Sequence, residues 1–85
     1  MSIQQLGAKD PEARRERIVR ATIAVIRERG FAGTRVSDIA AAAGTSQGLV
    51  LYHFGSLAGA LAAAVSLTEQ EFRQDVDRRL QAAPG

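Results

Sequence analysis

The chain has 85 residues, of which 46% are hydrophobic and 24% charged, the composition of one small globular domain or of part of a larger protein. It has no cysteine and one histidine, His53, which excludes a disulfide framework, a thiol nucleophile and cysteine- or histidine-rich metal sites; no apolar run approaches the ~20 residues of a membrane span and Met1 to Asp10 lacks a signal-peptide core, so the reading is a soluble intracellular protein. The formal charge of +2 is uneven, with eight basic and four acidic residues from Lys9 to Arg35 and a slight acidic excess on either side of Thr68; a local basic excess suits an anionic partner, although on charge alone a solvated helix face of mixed sign is the better account.

Residues 1–10 show no period and form a flexible tail. Asp10-Pro11-Glu12 opens a first helix, because Asp caps free amides, Pro fits the first turn and Glu suits the positive end of the dipole. This helix runs from Pro11 to about Arg29. Ile18, Val19, Thr22, Ile23, Val25 and Ile26 share one broad apolar face, Glu16 and Arg20 form an i,i+4 pair, and Gly30 is the stop. After Phe31-Ala32-Gly33, Thr34 or Ser37 caps a short second helix of Ile39 and alanines 40 to 43, closed by Gly44. Ser46 caps a third, Gln47 to about Phe54. Gly55-Ser56 breaks it, and Ser56 caps a fourth that runs from Leu57 to residue 83. The fourth helix has an apolar seam at Leu57, Leu61, Val65, Thr68, Phe72, Val76 and Leu80, with Glu69 and Arg73, and Asp75 and Arg79, paired on its outer half. No strand pattern appears, so the fold class is all-α.

The informative segment is residues 35–54, two short helices joined through Ala43-Gly44-Thr45-Ser46. That is the helix-turn-helix arrangement, in which the second helix enters a major groove about 12 Å wide while the first braces it across the backbone. Taken alone, helix–glycine–helix is weakly specific. The wider pattern is stronger: Arg17-Ile18, Ala21, Arg29-Gly30-Phe31, Thr34, Val36, Asp38-Ile39-Ala40, Ala43-Gly44, Ser46, Gly48, Tyr52-His53-Phe54, Ser56 and Leu61, in register without gaps. These residues resemble the N-terminal domain of tetracycline-repressor (TetR/AcrR-type) transcriptional regulators.

The resemblance implies a three-helix helix-turn-helix DNA-binding bundle over residues 11–72. A long fourth connecting helix, 57–83, would lead toward a ligand-sensing and dimerising body that lies outside these residues. It implies operator recognition by a regulator, expected to be a repressor, in a bacterial cytoplasm. The partner is double-stranded operator DNA. The full-length protein is expected to be a homodimer, this chain a weak dimer or a monomer, and a small-molecule effector would act only through the missing body. No cofactor and no metal are implied.

By the same resemblance Gln47 and Gly48 face base edges, glutamine suiting adenine and glycine allowing close approach. Leu49 either touches a thymine methyl or is plain core. Tyr52 and His53 hydrogen-bond phosphates, a structural histidine being the alternative for His53. Thr45 and Ser46 offer hydroxyls and a helix N-terminus to a phosphate, and Ser56 joins the set. Thr34, Arg35 and Ser37, at the start of the second helix, contact the backbone or a flanking base; for Arg35 a solvated charge is the alternative. Phe31, Val36, Ile39, Val50 and Phe54 are read as core. The chain departs from the family at Leu57, where the family has a phosphate-binding lysine, and at Leu51, commonly tyrosine. A helical protein-interaction or dimerisation module without DNA binding is the competing reading. An enzyme is not indicated, since His53 has no acid near it in sequence and the chain is too small for a substrate cleft.

Overall fold

A computed structural model of the chain describes residues 10–82. Most of the expected flexible tail, and the last residues of the expected fourth helix with Pro84 and Gly85, lie outside the described residues. Within them there are four helices: α1 Pro11–Gly33, α2 Val36–Ala43, α3 Gln47–Phe54 and α4 Leu57–Ala82. The all-α class stands, and no strand occurs among the described residues. No single helix there is long and apolar enough to cross a membrane.

The helix ends from Asp10 to Ser56 are closed by groups that the local sequence supplies. The Glu12 amide donates to the Asp10 carboxylate at 3.0 Å, with Pro11 in the first turn. Regular α1 geometry stops at Gly30 (φ 76°, ψ 168°), and Phe31 to Gly33 add one more turn beyond that kink. The start of α2 corrects the expected cap. The capping position is Arg35, and Asp38 reaches back to accept from its amide at 3.2 Å. Thr34 is instead turned inward and donates its hydroxyl to the Gly30 carbonyl at 2.8 Å, while Ser37 already lies inside α2. The Asp38 carboxylate also stands 4.0 Å from Arg29 Nε, tying the end of α1 to the start of α2.

At the α2–α3 turn, Gly44 is left-handed (φ 67°). The amides of Gly44 and Thr45 then take up the carbonyls of Ala41 and Ala40 at 3.3 and 3.0 Å, which ends α2 cleanly. Ser46 accepts from the Leu49 amide at 3.1 Å and Ser56 from the Gly59 amide at 3.0 Å, so α3 and α4 carry the serine caps that the sequence predicts.

The core is small. Ile18 and Ala21 of α1, Ile39, Ala40 and Ala43 of α2, Val50 of α3 and Ala60 of α4 pack together, with Val36, Phe54 and Leu57 against them. Two expectations about packing are corrected. Phe31, read as core, is 53% exposed and lines an open cleft between α1 and α4 with Ile26, Val65 and Thr68. The face that α4 turns inward is its alanine face, Ala60 and Ala64, both 1% exposed. Of the large residues read as a seam, Leu57 packs against the core and Leu61 and Val76 are half-buried, whereas Val65, Phe72 and Leu80 are exposed. Small side chains win because they let the α4 backbone come close to α1, and close packing of many atoms outweighs the larger area of a few.

The arginine expected to pair within α1 reaches further. Arg20 makes two hydrogen bonds to Glu71 of α4, at 3.0 and 2.7 Å. That hydrogen-bonded pair raises the Arg20 pKa above its usual value and lowers that of Glu71. Of the two pairs that the spacing predicts on the outer part of α4, Asp75 and Arg79 meet at 3.0 Å, with Arg78 also 3.4 Å from Asp75, whereas Glu69 and Arg73 do not pair.

Candidate nucleic-acid interface

α3 is a helix of eight residues with a divided surface. Val50 is fully buried, and Leu49, His53 and Phe54 are half-buried. Gln47, Gly48, Leu51, Tyr52 and Gly55 are exposed. At 100° per residue these five fall on one side, with Gly48 and Gly55 near its middle and Leu51 and Tyr52 flanking the line between them. The side chains of Leu51 and Tyr52, 41% and 79% exposed, therefore project between two stretches of bare helix backbone. This is a shape that can enter a groove.

The elements around α3 hold that face outward. The left-handed turn at Gly44 and the Ser46 cap set the entry angle. The exit is set by Gly59: a Cβ added there would collide with the Phe54 carbonyl oxygen, so only glycine lets α4 start so close to the end of α3. Arg15 of α1 stacks its guanidinium 4.8 Å from the centre of the Phe54 ring. It fixes Phe54 in place and seats a cation of α1 beside the C-terminal end of α3. Sequence reasoning missed this residue, and no spacing along the chain signals a contact between elements so far apart.

Of the predicted set, Gln47, Gly48 and Tyr52 come together on the outer face of α3. Ser46 lies at its N-terminus, exposed, with Thr45 half-buried beside it. The Ser46 hydroxyl accepts the cap bond yet still has a proton to donate, and so does that of Ser56. Arg35 and Ser37 are exposed at the start of α2. Thr34 lies inward, unlike Arg35 and Ser37. It is 3% exposed and donates its hydroxyl to the Gly30 carbonyl, which ties the α1–α2 turn. Leu49 lies half-buried on the flank of α3 rather than on the exposed face. His53 is half-buried, its Nε2 is enclosed and without a hydrogen-bond partner, and its ring meets Tyr52 edge-on at 5.3 Å. A phosphate contact from its side chain would fall to Nδ1.

The two departures from the family pattern part company. Leu57 packs against the core, so leucine there adds to packing where lysine would reach outward. Leu51 stands exposed on the outer face of α3, a member of the candidate interface that the residue-by-residue reading passed over. The signal for it was the helical spacing Gln47, Leu51, Gly55.

The profile of bacterial regulatory proteins of the tetR family matches residues 18–65, from α1 into α4. The chain belongs to the tetR family. This tetR-family chain is 42% identical over 65 residues to the HTH-type transcriptional regulator BetI of Stenotrophomonas maltophilia (strain R551-3), covering 76% of this chain and 33% of that protein. It is 35% identical over 72 residues to BetI of Paraburkholderia xenovorans (strain LB400), covering 85% and 37%. With the HTH-type transcriptional regulator CymR of Pseudomonas putida it shares 42% over 38 residues, covering 45% and 19%. The chain thus spans about a third of the length of the BetI proteins it matches. No solved structure gives a significant match. The relatives are named as HTH-type transcriptional regulators, and among the described residues no group of acidic or histidine side chains could hold a metal.

Proposed function

We propose that residues 11–72 are the operator-recognition head of a tetR-type regulator, with α3 in the major groove. The observation that carries this reading is the outer face of α3: a glutamine, a bare glycine backbone, and a tyrosine at 79% exposure, all held outward by capped turns on both sides. Gln47 reads a base edge. Ser46, Ser56, Arg35, Ser37 and Tyr52 position the head on phosphates, with Thr45 and His53 beside them. Residues 57–83 lead toward a sensing body, through which a second copy and a small-molecule effector would act. Repression in a bacterial cytoplasm is the corresponding biological role. We infer no catalytic activity, since the relatives' names are those of regulators.

The test is a mobility shift with duplexes selected from a randomised library, repeated across salt concentrations. Affinity is expected to fall linearly with salt on a log–log plot. Gln47→Ala should reorder the preferred sequences, losing ~1–3 kcal/mol at one position, whereas Tyr52→Phe should weaken all sequences alike. Absence of any sequence preference in the unmodified chain overturns the reading. It would favour the second one, a helical interaction module, for which the exposed Phe72 and Leu80 of α4 speak.

A further inference from the structure

Leu51 has no evident reason to be where it is. It is not part of the core that Val50 and Phe54 join, and at 41% exposure it presents a branched hydrocarbon on the most accessible side of α3. Its surface neighbours are Gly48 before it, Gly55 after it and Tyr52 beside it. The glycines add no bulk, so whatever α3 approaches, Leu51 meets it at short range. The inference rests on the placement of α3 in the major groove given above.

A major groove offers a leucine little. Base edges there are hydrogen-bond donors and acceptors, and the walls are charged phosphates. Placing an alkyl group against either strips water from a polar group and returns nothing. The single apolar feature of a base pair in that groove is the C5-methyl of thymine. We infer that Leu51 reads a thymine C5-methyl, and so is a specificity-determining residue of this head. Leu49, which the sequence offers as a rival for that role, is half-buried on the flank of α3.

The position of that thymine relative to other contacts follows from the helix. Gln47 precedes Leu51 by four residues on the same side. That is a rise of about 6 Å, or roughly two base steps of ~3.4 Å. The thymine read by Leu51 therefore lies within about two base pairs of the base pair read by Gln47. The preferred half-site contains a thymine whose methyl, not only its hydrogen-bonding edge, matters.

Deoxyuridine tests this, because it keeps every hydrogen-bonding group of thymidine and lacks only the methyl. Each thymine of a duplex selected by the full chain is replaced in turn by deoxyuridine, and affinities are compared for the unmodified chain and for Leu51→Ala. Alanine is a good helix former and Leu51 lies outside the core, so the variant folds. One substitution is expected to weaken binding by the unmodified chain about four-fold, the effect of one buried methyl. It should lie within two base pairs of the position sensitive to Gln47→Ala. Leu51→Ala should bind the thymine and deoxyuridine duplexes equally. If the chain selects a sequence but no deoxyuridine substitution matters, or if the sensitive thymine stays sensitive in Leu51→Ala, the role of Leu51 is overturned while the DNA-binding reading stands. If no sequence is selected at all, both fall.

Discussion

α4 is one helix with two different reasons to be helical. From Leu57 to Thr68 it is bound by packing: Ala60 and Ala64 are buried against the bundle, Leu57 joins the core, and the Thr68 hydroxyl donates to the Ala64 carbonyl at 2.9 Å. From Glu69 to Ala82 no residue is buried. That half is held by local pairs such as Asp75 with Arg79 and by one long-range tie, Arg20 to Glu71. The first half is thus part of the head's cooperative unit. The second depends on exposed polar contacts that salt and acid weaken. The contrast shows how a short chain extends a helix beyond its own core, with a charged clamp standing where the apolar contacts run out.

The comparison is broken most severely at the core. Ile39→Ala should cost about 2–5 kcal/mol by removing a side chain at 0% exposure and leaving a cavity, whereas Phe72→Ala, at 70% exposure, should stay within about 0.5 kcal/mol; urea denaturation followed by circular dichroism reads both. If the two were alike, outer α4 would be packed after all. Next in size is Gly59→Ala. Its new methyl meets the Phe54 carbonyl and should cost about 1–3 kcal/mol as α4 shifts, with weaker DNA binding because the α3 exit angle shifts too. Ser46→Ala should then cost about 1 kcal/mol by leaving the Leu49 amide without its cap; Ser46→Asp should recover most of it.

The smallest effect is local and sharpens the comparison best. The Arg20 hydrogen bond holds the Glu71 carboxyl below its ordinary range. Its contribution is present above the unfolded pKa and is lost as pH falls through the folded one. Amide protection of residues 69–80, measured by exchange, should therefore be greatest near neutrality. It should fall on acidification through and below the usual carboxylate range, and fall also with salt. Residues 57–67 should change little. Glu71→Gln should remove the acid-dependent part, and equal protection of both halves at every pH would refute the clamp.

The helices themselves were legible in the sequence because their signals are local. Asp10-Pro11, Gly44, Ser46, Gly55-Ser56 and the 3.6-residue spacing each act within one turn of chain, where capping and dihedral preference decide. So too was the membership of Gln47, Gly48 and Tyr52 in one face, which follows from helical spacing alone. Tertiary structure decided whatever depends on which direction is inward. That direction made Thr34 internal and Phe31 external, chose alanines over the larger seam for α4, sent Arg20 to Glu71 instead of Glu16, and separated Leu57, which packs, from Leu51, which does not. A periodic pattern tells which residues share a side. Only the approach of other helices settles which side is buried, because burial is a property of distances between elements that the chain's own order does not record.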